Sequence, residues 1–176
     1  MFQARAQELH RYYDEQLGKL LDSNPSLKKP FNSIFTASTY NLGPQVVSAP
    51  HLDSANLPFG FCAVTALSDY DPKKGSHFIM WDCKLVIQFP PGAMVLIPSA
   101  IITHSNVPVA AHEKRYSFTQ YAAGALFRWV DNGFKTNKNL YKGMSQDQAR
   151  QVQLANQQRW KFGLGLLPHI PWVGRR

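Results

Sequence analysis

His51 and Asp53 stand two residues apart, His104 follows at a distance, and Arg115 and Ser117 again stand two apart. Side chains two apart on an extended strand share a face, so His51 and Asp53 can point at one ion. His104, from a distant strand, completes a 2-His-1-carboxylate set of the kind that holds non-haem Fe(II) and leaves coordination positions open for 2-oxoglutarate and dioxygen. Arg115 and Ser117 place a guanidinium fork and a hydroxyl on one face. That pair suits the free carboxylate of such a co-substrate, which Arg grips through parallel charge-assisted hydrogen bonds. The expected roles are metal ligation and catalysis for His51, Asp53 and His104, and co-substrate binding for Arg115 and Ser117.

Each piece has an ordinary alternative. His-x-Asp is short enough to arise by accident. His51, after Pro50, can be a strand histidine bonded to a neighbouring carboxylate, and Asp53 a turn former ahead of Ser54 and Asn56. The downstream order favours the metal: His104 lies between apolar runs, and Arg115 inside a further β-rich run. His10 falls in an N-terminal helical pattern, His77 on a strand, His112 in a polar loop and His169 in the tail, and all four read as structural or solvated. His112 is the rival to His104. It stands only three residues before Arg115, which leaves too little strand for both groups to reach one ion and its ligand.

A chain of 176 residues suits one well-buried domain rather than two. Hydrophobic content of 44% with 12% aromatics supports a packed core over disorder. No run approaches the length of a membrane span and no apolar signal segment follows Met1, so a soluble, intracellular chain without membrane contact is expected. Cys62 and Cys83 are too few for a disulfide scaffold or a cysteine-ligated zinc module, and both fall in apolar strand-like runs, where buried, reduced thiols are expected. The net charge of +8 favours an anionic partner such as nucleic acid.

The elements that must position these groups follow from periodicity. Leu9, Tyr13, Leu17, Leu20 and Leu21 mark an amphipathic helix over residues 3–22, stopped at Ser23-Asn24-Pro25. Short β-type runs follow at Ser33–Tyr40, Phe61–Leu67, Phe78–Trp81, Leu85–Phe89, Ala93–Ile97, Ile101–Ser105, Arg115–Tyr121 and Leu126–Val130, with turn formers between them. Regular short strands are the pattern of a sandwich or jelly roll rather than alternating βαβ units. Ser145 and Gln148 form a capping-box pair that starts a helix expected to run to about Trp160, with a Gln-rich solvated face and a Val152, Ala155, Arg159 face able to cover the sheet. Residues 163–176 are expected to be irregular. The organisation predicted is an N-terminal helix and linker (1–32), a β core (33–134) and a helical appendage with a tail (135–176).

Over residues 33–134 the chain resembles the fungal branch of the TET/JBP dioxygenases, in particular the mobile-element-associated copies of mushroom-forming fungi. The residues that carry the resemblance are Pro50 through Leu57, Pro90-Pro91-Gly92, Ile97 through Ile101, His104 through Val107, Arg115 through Tyr121 and Leu126 through Val130. The resemblance implies a double-stranded β-helix (jelly-roll, cupin-like) with Fe(II) on His51, Asp53 and His104 and 2-oxoglutarate on Arg115 and Ser117. It implies stepwise oxidation of the methyl group of 5-methylcytosine in DNA, hence a nuclear protein. It also places Asn56 and Tyr121 against a flipped base. Ala123 departs from the animal enzymes, which use a His there to read the base, and two cysteines cannot build their zinc-binding region. The DNA clamp would then come from Lys and Arg side chains and the appended helices.

The residues leave other readings open. Asn56 can be a turn residue, Tyr121 a core aromatic and Ser117 a strand hydroxyl bonded to its neighbour. The same chemistry can address N6-methyladenine or methylated RNA, or the fold can persist as an inactive nucleic-acid-binding relic.

Overall fold

The computed structural model describes residues 1–28 and 31–168, so His169 and the rest of the tail lie outside the described residues. The N-terminal helical pattern forms as two pieces, α1 (Phe2–Arg5) and α2 (Gln7–Ser23), broken where Ala6 leaves helical geometry. Leu9, Tyr13, Leu17 and Leu20 are buried as their spacing predicts, and Asn24 ends the helix.

Seven strands follow: β1 (Ala37–Asn41), β2 (Cys62–Leu67), β3 (Phe78–Met80), β4 (Leu85–Ile87), β5 (Met94–Ile97), β6 (His104–Asn106) and β7 (Tyr116–Tyr121). They form two antiparallel sheets, ordered β1-β7-β2-β5 and β4-β3-β6. A single antiparallel bridge between His51 and His104 adds a fourth member to the smaller sheet, beside β6. With that bridge counted, the chain runs large, small, large, small, small, large, small, large sheet. This alternation, with neighbours in each sheet drawn from remote parts of the sequence, is the double-stranded β-helix or jelly roll. The His51 strand stays one bridge long because the Asp53 N–H, next in line to meet β6, turns away to the Ser99 carbonyl (2.9 Å), and on the other side only a long contact, Asn106 N–H to the Ser48 carbonyl at 3.5 Å, follows.

Side chains from both sheets meet in one core: Cys62, Val64 and Ala66 of β2, Phe78 of β3 and Ile97 of β5, with Tyr70, Phe89 and Val109 from the connections. Tyr70 is the polar member and donates its hydroxyl proton to the Phe89 carbonyl at 2.6 Å. Cys62 is buried with them, but Cys83 is exposed. The expectation of two buried thiols fails for Cys83 because it sits in the turn between β3 and β4, with Lys84 at positive φ, rather than in either strand.

Other boundaries move for identifiable reasons. β1 begins at Ala37, after bends at 31–34, and β6 begins at His104, after a turn over 99–102 that leaves Ile101 exposed. The run Leu126–Val130 is helical, not a strand: it lies in α3 (Gly124–Asp131), with Phe127 and Val130 buried at helical spacing. A short apolar run does not by itself distinguish the two periods. What decides here is that Leu57 N–H bonds the Ala122 carbonyl and Gly124 N–H the Ala55 carbonyl, which ends the ladder before residue 125. Gly124 permits the approach, since a Cβ there would stand 3.3 Å from the Asn56 carbonyl oxygen.

A short helix that the sequence reading did not anticipate, α4 (Asn137–Tyr141), starts on the Thr136 cap. The capping box of Ser145 and Gln148 is present as read, and α5 runs from Gln146 to Gly165, beyond Trp160. The first three residues of the stretch expected to be irregular are therefore helical. The chain divides into two compact units, Phe35–Arg128 around the sheets and a second made of residues 1–34 and 129–176. Inside the second unit, Asp131 accepts from Tyr12 (3.2 Å) and Gln16 (2.9 Å) and pairs with Arg159. Arg159 is thus spent on a carboxylate, and Ala155, expected on a covering face, is exposed. Among the described residues no helix is long and apolar enough to cross a membrane.

Two measurements check this architecture. A Cβ on buried Gly75 would lie 2.7 Å from the Pro108 carbonyl oxygen, so Gly75→Ala should cost about 1–3 kcal/mol, read as a lower midpoint in thermal unfolding. Burial, and after it the Asp53 charge, push the Cys62 thiol up to about 12. A thiol-alkylating reagent at neutral pH should therefore label Cys83 in the native protein and Cys62 only after unfolding.

Candidate metal and carboxylate site

His51 and His104 exchange both backbone hydrogen bonds, 3.1 Å and 3.0 Å. Directly paired residues of an antiparallel ladder point to the same face, and the two rings lie 4.3 Å apart between centroids. Asp53, two residues on, brings its carboxylate to the same point: Oδ1 is 3.7 Å from His51 Nε2 and Oδ2 is 3.9 Å from His104 Nε2. One ligand atom from each of the three lies within 4.8 Å of the others, roughly twice a metal–nitrogen bond of about 2.1 Å.

The hydrogen bonds fix which nitrogens are offered. His51 Nδ1 contacts the Ala49 carbonyl at 2.8 Å and His104 Nδ1 the Ile102 carbonyl at 2.9 Å. A carbonyl only accepts, so each Nδ1 carries the proton and each Nε2 turns a lone pair toward Asp53, as a metal ligand requires. Burial holds the His104 pKa below its ordinary value, against the hydrogen bond to Ile102, with His51 adding to the lowering; the neutral ring is the ligating form. The donor set of two neutral imidazoles and one carboxylate fits a divalent first-row ion such as Fe(II).

The same cavity, about 610 Å³, is lined by all seven residues singled out in the sequence: His51, Asp53, Asn56, His104, Arg115, Ser117 and Tyr121. Arg115 is 3% exposed, donates from Nε to Ser76 Oγ (2.8 Å) and from Nη1 to the Val46 carbonyl (3.0 Å), and has no ion-pair partner among the described residues. Burial lowers its pKa, opposed by Tyr70. A guanidinium that remains charged in such a place calls for an anion. Ser117, also buried, accepts from Asn41 Nδ2 at 2.9 Å, which leaves its hydroxyl proton free for an acceptor in the cavity. The donors thus fit a small dicarboxylate whose far end rests on Arg115 and Ser117.

Asn56 lines the cavity but its amide is engaged: Nδ2 donates to Ser99 Oγ at 3.1 Å and reaches Asp53 Oδ2 at 3.5 Å. Tyr121 stands with its hydroxyl 3.4 Å from Thr39 Oγ1 and its ring partly in the core. Ala123 bridges to Asn56 through the backbone and brings no polar group. The rival histidines stay away from the cavity lining: His10 packs on Phe2, His77 is half-buried and His112 is exposed.

The sequence reading missed the residues that brace the site. Asn106, buried, accepts from the Ser48 N–H (2.9 Å) and hydroxyl (3.0 Å) and donates to the carbonyls of Val46 (3.2 Å) and Val107 (3.1 Å). It therefore ties the segment before His51 to β6, through the same Val46 carbonyl that Arg115 uses. Its position two after His104 was a usable signal, because the period of two puts both on one face. Ser76, Ser99 and Asn41 gave no comparable signal, since their partners are brought close only by strand pairing.

No family model matches the chain, and no curated protein matches it. Among solved structures it is similar to NgTET1 in complex with 5mC DNA, at 15% identity and a TM-score of 0.45, covering 69% of this chain and 51% of that one. It is similar also to the viral collagen prolyl hydroxylase of Paramecium Bursaria Chlorella virus-1 in its 2OG complex, at 14% identity and a TM-score of 0.36, covering 62% of this chain and 70% of that one. The chain thus spans about half the length of the first.

Removing the Asn106 brace should loosen His51 without touching a ligand. Asn106→Ala is expected to weaken Co(II) binding by about 10–100-fold, measured by titrating the metal-free protein while following its visible absorption.

Proposed function

We propose that this chain is a 2-oxoglutarate- and Fe(II)-dependent dioxygenase that oxidises the methyl group of 5-methylcytosine in DNA, with residues 33–134 as its oxygenase core and the nucleus as its place of work. One observation carries the reading: two Nε2 lone pairs and a carboxylate converge in the cavity where a buried guanidinium has no carboxylate partner among the described residues. The resemblance of residues 33–134 to TET/JBP enzymes supplies the substrate.

When bound, iron and 2-oxoglutarate supply the oxidation, coupling decarboxylation of the keto acid to succinate with transfer of one oxygen atom of dioxygen to a C–H bond. The protein's part is placement. His51, Asp53 and His104 hold the metal, and the carbonyls of Ala49 and Ile102 keep both rings in the ligating tautomer. Arg115 and Ser117 hold the far carboxylate, offsetting its desolvation. The His104 side chain is 7% exposed, whereas those of His51 and Asp53 are 42% and 33% exposed, so the site opens to solvent on the His51 side. A methyl group arrives from there. A base stacked in a duplex cannot enter such a cavity, so the nucleotide flips out at a cost of a few kcal/mol. Asn56 and Tyr121 are the residues we assign to the base. Asn56, with its amide hydrogens directed at Ser99 and Asp53, would present its oxygen.

Ala123 favours a second reading, in which the same chemistry acts on N6-methyladenine or methylated RNA, because it leaves the base edge unread at that position. An inactive nucleic-acid-binding relic would retain the cavity but form no succinate.

Anaerobic loading with Fe(II) and 2-oxoglutarate, then exposure to air with methylated oligonucleotides, should yield succinate and oxidised 5-methylcytosine by mass spectrometry of the nucleosides. Succinate without cytosine oxidation points to another base, and DNA retention without succinate to the relic. His51→Ala should abolish turnover and leave DNA affinity within about twofold. Arg115→Gln should lower kcat/KM for 2-oxoglutarate by about 100-fold, equivalent to about 2.7 kcal/mol.

A further inference from the structure

Positive charge is distributed unevenly along the chain. Residues 129–176 hold eight Lys or Arg against two Asp or Glu, a surplus of six within a net charge of +8. Residues 1–34 hold five against four, and residues 35–128 six against five. The β core that carries the cavity is therefore nearly neutral and is poorly equipped to attract a polyanion on its own.

Some cations elsewhere are paired. Arg11 of α2 pairs with Glu8 and with Glu15 (3.7 Å), and Lys74 pairs with Asp71 (3.5 Å). From residue 132 to 168 the sequence contains one carboxylate, Asp147. Lys135, Lys138, Lys142, Arg150 and Lys161 form no ion pair among the described residues and are all exposed.

Their spacing organises them. Lys135, Lys138 and Lys142 recur at intervals of three and four around α4. On α5, Gln146, Arg150, Gln153, Gln157 and Lys161 recur at intervals of four, three, four and four, and all five are exposed. That spacing makes one stripe on one side of the helix, about 22 Å long at 1.5 Å per residue. Three lysines thus crowd residues 135–142 with no carboxylate among them, and Arg150 and Lys161 stand eleven residues apart on the stripe. Amide and ammonium donors on such a stripe suit phosphodiester oxygens, which are contacted without regard to base sequence. Of the exposed apolar residues of α5, Leu154, Trp160 and Leu164 lie on or beside this stripe and Phe162 on another side. The three stand among the amides and cations, not in a continuous apolar face of the kind that settles into a membrane interface.

We propose that α4 and the Gln146–Lys161 stripe of α5 form a sequence-independent binding surface for the nucleic-acid backbone, supplying most of the affinity that the core lacks. The proposal deepens the reading of DNA as substrate and rests on it for the identity of the polyanion.

The test compares the full chain with its Lys138→Glu, Lys142→Glu, Arg150→Glu, Lys161→Glu variant by fluorescence anisotropy on a short unmethylated DNA duplex over a range of salt. The variant should lose about 100-fold or more in affinity at low salt, and its log–log salt slope should become shallower by about 3–4. The corresponding four-Gln variant, which keeps good helix formers, should show a smaller loss of the same sign. Lys73→Glu with Lys74→Glu, on the core, should change affinity by about twofold or less. Wild-type affinity and slope in the four-Glu variant would overturn the proposal, as would tighter binding of the wild type to phosphatidylserine vesicles than to the duplex. Binding is read without iron or 2-oxoglutarate, so duplex binding through these residues in a chain that forms no succinate sinks the oxygenase reading and leaves this one standing.

Discussion

The site depends on one pair of backbone hydrogen bonds, those exchanged between His51 and His104. They oblige two imidazoles, more than fifty positions apart in sequence, to leave their strands on the same face. Given that constraint, Asp53 needs only the period of two to reach the same point, and the carbonyls two residues before each histidine need only accept from Nδ1. The strand that bears the HxD pair joins the smaller sheet through this single bridge and a long Asn106 N–H to Ser48 carbonyl contact of 3.5 Å. Its brevity is useful, because a continuing ladder would have carried Asp53 along β6 instead of releasing its N–H to Ser99.

Support for so short a strand comes from side chains. Asn106 spends all of its hydrogen-bonding capacity within reach on residues 46–48 and 107, and so stands in for missing ladder bonds. The Val46 carbonyl takes protons from both Asn106 and Arg115, so the segment that delivers His51 also helps to aim the guanidinium. Ser76, fully buried with a left-handed backbone (φ 59°), receives the other Arg115 bond. The cavity therefore brings together three metal-ligating atoms at one place and, at another, a buried guanidinium with no carboxylate partner among the described residues. Converging groups of this kind mark a site shaped for ligands rather than for stability.

The two compact units differ in electrostatic character as well as in structure. Around the sheets, charges of both signs nearly cancel, and the polar groups of interest face inward. In the helical unit the buried Tyr12 and Gln16, with Arg159, satisfy the carboxylate of Asp131 at the surface, while most later cations are left to solvent. Burial and the neighbouring carboxylate push the Tyr12 hydroxyl far above its ordinary range, so it stays protonated and donates to Asp131.

Periodicity alone determined a good deal. The period of two identified the His51/Asp53 and Arg115/Ser117 pairs, the alternation of short β runs indicated a jelly roll, and the Ser145/Gln148 spacing marked the start of α5, because each of these is a local rule of backbone geometry. What local rules could not reach was decided by tertiary structure. Leu126–Val130 coiled into a helix because residues 122 and 124 were claimed by residues 55–57; Cys83 turned outward because a hairpin reversed beneath it; and Asn41, Ser76 and Ser99 joined the site because remote strands set them there. An apolar run carries no label for its partner, and a polar side chain acquires a role only from the donor or acceptor that folding places opposite it.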